Sequence, residues 1–229
     1  MEYPHNRPYT ADDLVHIITL LRDPVNGCPW DKVQTHTSIR MNFLEEAYEA
    51  VDALDLDDPV LMCEELGDVL MQVAFHTCME QETGRFTWEQ VCDGVCQKLI
   101  ERHPNIFGTQ PGYEGITDWD ALKNKEKGRR TLADDLESVP RAMPALMRAA
   151  KLQKRAARHG AALQGADAAA LADAAENLQT AQPASAQAEQ AVGKLLFAAA
   201  NLARQAGVDP EQALQKANEA FCTAAGPVA

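Results

Sequence analysis

The sequence has no apolar run of the roughly 18–20 residues that a bilayer span requires, so no membrane crossing is expected. Met1 to Thr10 is polar with two prolines and lacks the apolar core of a signal peptide, which leaves the cytoplasm as the expected setting. No CxxC pair occurs, so Cys28, Cys63, Cys78, Cys92, Cys96 and Cys222 read as reduced thiols. Cys92 and Cys96 stand four apart with His103 further along, but they lie in apolar-periodic sequence, where Cys serves as a small buried hydrophobe. Bases are few: 21 Lys and Arg against 34 Asp and Glu give a net charge of −13. That balance argues against nucleic acid or an anionic membrane surface as partner. No GxxxxGK[ST], no His-Asp dipeptide and no GxSxG occurs, which excludes a P-loop, an HD phosphohydrolase and a nucleophile elbow. No stretch alternates apolar and polar residues for long enough to propose a sheet.

What is present is globular composition, with 46% hydrophobic and 24% charged residues in 229. That length holds one ordinary domain or two small ones. The charge is uneven: residues 1–145 carry 27 acids and 13 bases, or −14, and residues 146–229 carry 7 acids and 8 bases, or +1. Leu14, Ile17, Ile18 and Leu21 form one apolar helical face, closed by Asp23-Pro24 and Asn26-Gly27. After a loop to Thr37, Thr37 or Ser38 caps a second helix to about Leu56, with Leu44, Ala47, Val51 and Leu54 inward. Asp57-Asp58-Pro59 turns the chain into a third helix over 59–82, closed by Gly84. Thr87 caps a fourth that His103-Pro104 stops, with Val91, Val95 and Leu99 on one stripe. A short helix is expected over 117–130 and a linker over 131–145. From 146 on, 29 of 84 residues are alanine, so that part can be helical with a thin core, and 164–191 reads as partly disordered. The expected fold is all-α, with domains at 1–130 and 146–229.

Two acid clusters lie on consecutive helices: Glu45, Glu46 and Glu49, then Glu65 and Asp68. Spacings of three put Glu46 with Glu49, and Glu65 with Asp68, on single faces. The tight turn at 57–59 makes the two helices antiparallel neighbours, so four carboxylates converge. No Lys or Arg stands between Glu45 and Asp68, so the hairpin cannot pair them internally. Converging carboxylates repel and resist desolvation. All-oxygen ligation suits Mg²⁺, with Mn²⁺ as a substitute. A merely solvated acidic face fits less well, because Leu44, Ala47, Leu66 and Val69 interleave and bring the acids to the border of the core. Lys98 and Arg102, four apart, offer a basic edge for phosphates.

Glu64-Glu65-Leu66-Gly67 resembles the end of a Nudix box, but Asp68 replaces the aliphatic residue that should follow and Val60-Leu61 replaces the upstream Arg-Glu. A second similarity is internal. Residues 64–71 align with 190–197, keeping the glycine and apolar pattern and losing the acids. Gln97-Lys98 aligns with Gln215-Lys216.

Glu45-Glu46-x-x-Glu49, fifteen residues, then Glu65-x-x-Asp68 resembles the MazG-type all-α nucleoside triphosphate pyrophosphohydrolases. The loop Gly27-Cys28-Pro29-Trp30-Asp31, Gly84-Arg85-Phe86, Lys98-Leu99-x-x-Arg102-His103-Pro104 and Trp119-x-x-x-Lys123 extend the likeness over about 10–130. The resemblance implies Mg²⁺-dependent hydrolysis of nucleoside triphosphates to monophosphate and pyrophosphate. It implies Glu46, Glu49, Glu65 and Asp68 as metal ligands and Glu45 as a second-layer or water-activating group. Lys98 and Arg102 match positions facing the phosphates, and Trp119 a base-stacking tryptophan. Trp30 reads equally as an aromatic near the base or a core anchor, and Asp31 and Lys123 join the substrate-binding set. The family repeats the acid motif in a second domain. Here Asp173, Ala174 and Asn177 align loosely with the first cluster, and Gln190, Ala191 and Lys194 with the second, so that copy is expected to be catalytically dead. A thin-cored second half also points to a homodimer that completes a four-helix arrangement. The alternative function is a weak or inactive regulatory or scaffold protein on the same helices.

Overall fold

The computed structural model describes residues 2–5, 7–104, 106–108 and 126–226. Every regular element among them is helical. The chain divides into two compact units, Met1–Ile116 and Thr117–Ala229.

The first unit holds α1 (Ala11–Leu21), α2 (His36–Asp55), α3 (Pro59–Glu82) and α4 (Trp88–Arg102), with a 3-10 turn at Asp31–Val33. Each helix starts where a side chain accepts the free N–H groups of its first turn. Thr10, Thr35 and Thr87 form reciprocal capping boxes with Asp13, Ser38 and Gln90. Thr35 therefore replaces the expected cap at Thr37 or Ser38, and α2 begins at His36. Asp58 accepts from Val60 and Leu61, with Pro59 in the first turn, which starts α3 where the turn residues predict.

The helix α3 is central: α1, α2 and α4 each pack on it. The core is Ile18, Ile39, Ala74, Phe75, Cys78, Met79 and Trp88. The expectation for α2 is corrected here. Its buried residues are Ile39, Ala50 and Ala53, and Val51 and Leu54 are exposed. Small alanines let α2 approach α3 closely, and the larger side chains rotate outward. Cys78 is buried as expected of a structural thiol, whereas Cys63, Cys96 and Cys222 are exposed.

A buried arginine holds the loop before α2. Arg22 donates through Nε and Nη2 to Glu82 at 2.5 and 2.9 Å, and through Nη1 to the carbonyls of Asp31 and Gln34. Its guanidinium lies 5.3 Å from the Phe75 ring centroid. Gly27 has no alternative at its position: a Cβ there would lie 2.4 Å from the carbonyls of Leu21 and Asp23.

The second unit holds α5 (Leu132–Glu137), α6 (Ala145–Arg158), α7 (Ala168–Thr180), α8 (Ala186–Gln205) and α9 (Pro210–Ala225). Here α8 is central, with α6, α7 and α9 packed on it. One expectation is overturned. Residues 164–191 form α7 and the start of α8, capped by Asp167 and Ser185. The stretch expected as a linker contains α5, which packs on α6. The thin core is present as expected: Val139 is joined by Ala156, Ala166, Ala174, Ala191, Ala198 and Ala200. Polar groups fill the rest. Asp135, 1% exposed, pairs with Arg155 at 3.0 Å, Arg158 at 2.8 Å and His159 at 3.1 Å. Arg155 also donates to the Asp135 carbonyl and to the Ser138 hydroxyl. The short helix expected over 117–130 falls largely outside the described residues.

Removing one partner of a buried ion pair leaves the others desolvated and uncompensated. Asp135→Ala is expected to lower the unfolding free energy of this unit by about 3–5 kcal/mol in urea denaturation. A loss below about 1 kcal/mol, the size of an exposed pair, would show that Asp135 does not hold α5 to α6.

Candidate metal centre

The α2–α3 hairpin is closed at both ends. At one end Asp57 adopts a left-handed conformation (φ 52°), which Asp tolerates better than most residues, and Asp58 caps α3. At the other, His36 in the first turn of α2 reaches two residues of α3. Its Nε2 lies 2.5 Å from Glu80, and its Nδ1 lies 2.7 Å from Nδ1 of His76. The two imidazoles are stacked, with centroids 5.0 Å apart. Arg85 brings a guanidinium to Glu80 at 2.6 Å. Burial, and then the neighbouring His36, hold the His76 pKa below its ordinary value.

Antiparallel helices tied this way meet in one register. Ten residues after His36 comes Glu46, and eight to eleven before His76 come Asp68 and Glu65. Oxygens of Glu46, Glu49 and Glu65 accordingly lie within 4.8 Å of one another. Asp68, one turn beyond Glu65, is close enough for its charge to act on both Glu46 and Glu65. Glu46, Glu65 and Asp68 are half-buried and Glu49 is exposed.

The electrostatics follow. The Glu46 carboxyl is held above the ordinary range, first by partial burial and then by Asp68 and Glu49, against a hydrogen bond from Gln72. Glu65 is raised by partial burial, then by Glu64, Asp68 and Glu46. Gln72 donates through Nε2 to Glu46 at 3.4 Å, and its Oε1 is buried without a hydrogen-bond partner. Three clustered carboxylates, a fourth beside them and an orphaned amide oxygen form an all-oxygen donor set, with no Lys or Arg between Glu45 and Asp68. Such a set fits a hard divalent cation.

The other expected residues are placed less closely. Glu45 is exposed and stands outside the three-carboxylate group. Lys98 and Arg102 lie one turn apart on α4, Lys98 exposed and Arg102 half-buried. Trp30 is 56% exposed, which argues against a core anchor. Asp31 is half-buried, and its carbonyl accepts from Arg22. Trp119 and Lys123 lie outside the described residues. Leu66 is exposed and does not border the core. Sequence reasoning missed Gln72, although 65, 68, 72 and 76 continue one helical stripe. It also missed the His36–His76–Glu80–Arg85 chain, whose members lie far apart in sequence.

Fold and site together define an all-helical protein that presents a carboxylate cluster on one hairpin, with a donor set that fits a hard cation. Residues 34–107, which contain that hairpin, match the MazG nucleotide pyrophosphohydrolase domain. The nucleoside triphosphate pyrophosphohydrolase of Escherichia coli K12 is 41% identical over 219 residues, covering 92% of this chain and 83% of that protein. The nucleoside triphosphate pyrophosphohydrolase/pyrophosphatase MazG of Thermotoga maritima is 39% identical over 212 residues, covering 92% and 82%. A nucleoside triphosphate pyrophosphohydrolase of Mycobacterium tuberculosis is 34% identical over 154 residues, covering 66% and 46%. The chain belongs to the MazG family of nucleoside triphosphate pyrophosphohydrolases.

A carboxylate whose pKa is raised by folding stabilises the fold below its unfolded pKa, and that contribution is lost as pH rises through the folded value. Glu46 and Glu65 are of this kind. A divalent cation bound only by the folded state restores stability, by about 2.7 kcal/mol at a hundredfold excess over Kd. Millimolar Mg²⁺ or Mn²⁺ is therefore expected to raise Tm, more at pH 7.5 than at pH 5. In Glu46→Gln the increment should shrink. An equal increment at both pH values would separate cation binding from these carboxylates.

Proposed function

We propose that this chain hydrolyses nucleoside triphosphates to the monophosphate and pyrophosphate, with Mg²⁺, at the carboxylate cluster of its first unit. The observation that carries this reading is the approach of Glu46, Glu49 and Glu65 within 4.8 Å with no Lys or Arg between Glu45 and Asp68 to neutralise them. Family membership makes a hydrolase of acid anhydrides the matching activity.

Glu46, Glu49, Glu65 and Asp68 hold Mg²⁺, and Mn²⁺ can replace it. The bound ion neutralises the polyphosphate and lowers the pKa of an attacking water. Gln72 orients Glu46 through its amide. Glu45, exposed at the start of the motif, accepts a hydrogen bond from the water. Lys98 and Arg102 meet the phosphates, whose charge the carboxylates alone would repel. Trp30 and Trp119 stack on the base, and Asp31 and Lys123 complete the substrate contacts. The Arg22 clamp keeps the loop that carries Trp30 and Asp31 in place before substrate arrives.

The second unit reads as a degenerate copy. What supports this is the same packing order in α1–α4 and α6–α9, with the third helix of each four central and the first, second and fourth laid on it. Lys194 aligns with Asp68 and would repel a cation. The domain reading is a catalytic unit over 1–130 and a second domain over 146–229, with α5 in the intervening 131–145. Six free thiols support a cytoplasmic setting, and no helix among the described residues is long and apolar enough to cross a membrane. An acidic chain of −13 supports free nucleotides, not nucleic acid, as partners.

Pyrophosphate release from a panel of nucleoside triphosphates tests the reading. Wild type is expected to require Mg²⁺, and Glu49→Gln and Asp68→Asn are each expected to lose at least about a hundredfold, the scale of one removed electrostatic contact at a reacting centre. If wild type releases nothing, the scaffold reading replaces this one. Full activity in both variants would remove the site from the hairpin.

The reading includes a homodimer. Met41, Tyr48, Val51 and Leu54 on α2, Leu66 and Leu70 on α3, and Val95 and Leu99 on α4 are exposed apolar side chains of the first unit. Such a patch suits a partner helix pair. Light scattering at micromolar concentration is expected to give twice the 25.0 kDa chain mass. A charge at Val51 (Val51→Glu) should lower it toward one chain, and a wild-type monomer would refute the dimer.

A further inference from the structure

The second unit contains a cavity of about 1270 Å³ between α7 and α8. All six positions that align with the acid clusters line it: Asp173, Ala174 and Asn177 from α7, and Gln190, Ala191 and Lys194 from α8. Loss of four of the five motif acids has left a cleft with different chemistry, and that chemistry specifies a ligand.

Alanines make the floor, with Ala174 and Ala191 buried, and Phe197 adds a half-buried ring. This is an apolar bed for a flat ring. Carboxamides surround it: Gln164, Asn177, Gln187 and Gln190. Asn177 uses its Nδ2 on the Asp173 carbonyl, which leaves Oδ1 to accept from a ligand. Carboxamides pair a donor with an acceptor, as nucleobase edges do. Asp173 and Glu189 accept hydrogen bonds from sugar hydroxyls, and they repel a polyphosphate. Lys194 is exposed and stands in no ion pair among the described residues. One ammonium matches one phosphate, and it excludes a divalent cation from the place that Asp68 holds in the aligned segment.

We infer that the second unit binds a nucleoside monophosphate in this cavity without a metal ion, at a site separate from the carboxylate cluster. The cavity is large enough for a nucleotide, since ligand pockets run to about 300–1,000 Å³. The carboxylate cluster of the first unit needs a cation because its own groups are all negative. The second needs none because its one cation is covalently built in.

Calorimetric titration of the full chain in EDTA with the four ribonucleoside monophosphates tests this. At least one is expected to bind at millimolar concentration or below, and the corresponding triphosphate more weakly. Lys194→Glu should weaken binding about tenfold or more, as loss of a charge-assisted contact does. Gly193→Phe should abolish it: Gly193 lines the cavity, and a Cβ there meets nothing within 4 Å, so the added side chain starts in open space beside the cavity. Helical circular dichroism of both variants checks that they fold. Asp68→Asn should bind as wild type does. The inference is overturned if no monophosphate binds in EDTA, if the triphosphate binds more tightly, if binding survives both second-unit variants, or if Asp68→Asn removes it. Pyrophosphate release should be unchanged in Lys194→Glu and Gly193→Phe, which keeps this test apart from that of the first unit.

Discussion

Glu46, Glu49 and Glu65 repel one another, and they stand together because α2 is fastened to α3 at both ends. Asp57 and Asp58 close one end of the hairpin, and the buried Glu80 with His36 and Arg85 closes the other. Between the two fastenings the helices have no freedom to slide, so the register that buries Ala50, Ala53 and Ala74 also forces the carboxylates together. The cost of that convergence is carried by packing elsewhere in the unit. Ile18, Ile39, Phe75, Met79 and Trp88 form the core on which α3 rests. The fold thereby holds in place a carboxylate set that fits a hard cation.

Much of this could be read from the chain because the signals are local. Asp58-Pro59 and Gly84 set α3 over 59–82 through capping and turn chemistry that involve no distant residue. The acid pattern was readable for the same reason: spacing along a helix fixes a face. What could not be read depends on neighbours that sequence does not name. Apolar periodicity on α2 points to Leu44, Ala47, Val51 and Leu54 as the inward stripe, whereas the buried residues include Ala50 and Ala53, not Val51 and Leu54. The larger side chains looked like core because hydrophobicity carries no direction. Gln72 was passed over because it is neutral, and its importance comes only from the carboxylate across the hairpin. Residues 164–191 looked disordered by the measure of large apolar side chains. They are ordered because alanine-lined helices approach closely and because Asp167 and Ser185 cap them.

The two units manage charge in opposite ways, and this accounts for part of the split of −14 against +1. In the second unit the buried carboxylate, Asp135, is neutralised from within by Arg155, Arg158 and His159. That network needs nothing from solution and serves packing, where a thin alanine core supplies little hydrophobic area. In the first unit Arg22 and Arg85 are already engaged with Glu82 and Glu80, at the opposite end of α3 from its start at Pro59. No base of the hairpin reaches Glu46, Glu49, Glu65 and Asp68. A structural carboxylate is given its counter-ion by the chain, and a functional one is left waiting for it. By that criterion the hairpin acids differ in kind from Asp135, although both sets stand beside a helical core. The same criterion separates the hairpin from the cleft between α7 and α8: the one gathers carboxylates alone, and the other carries Lys194 beside Asp173 and Glu189.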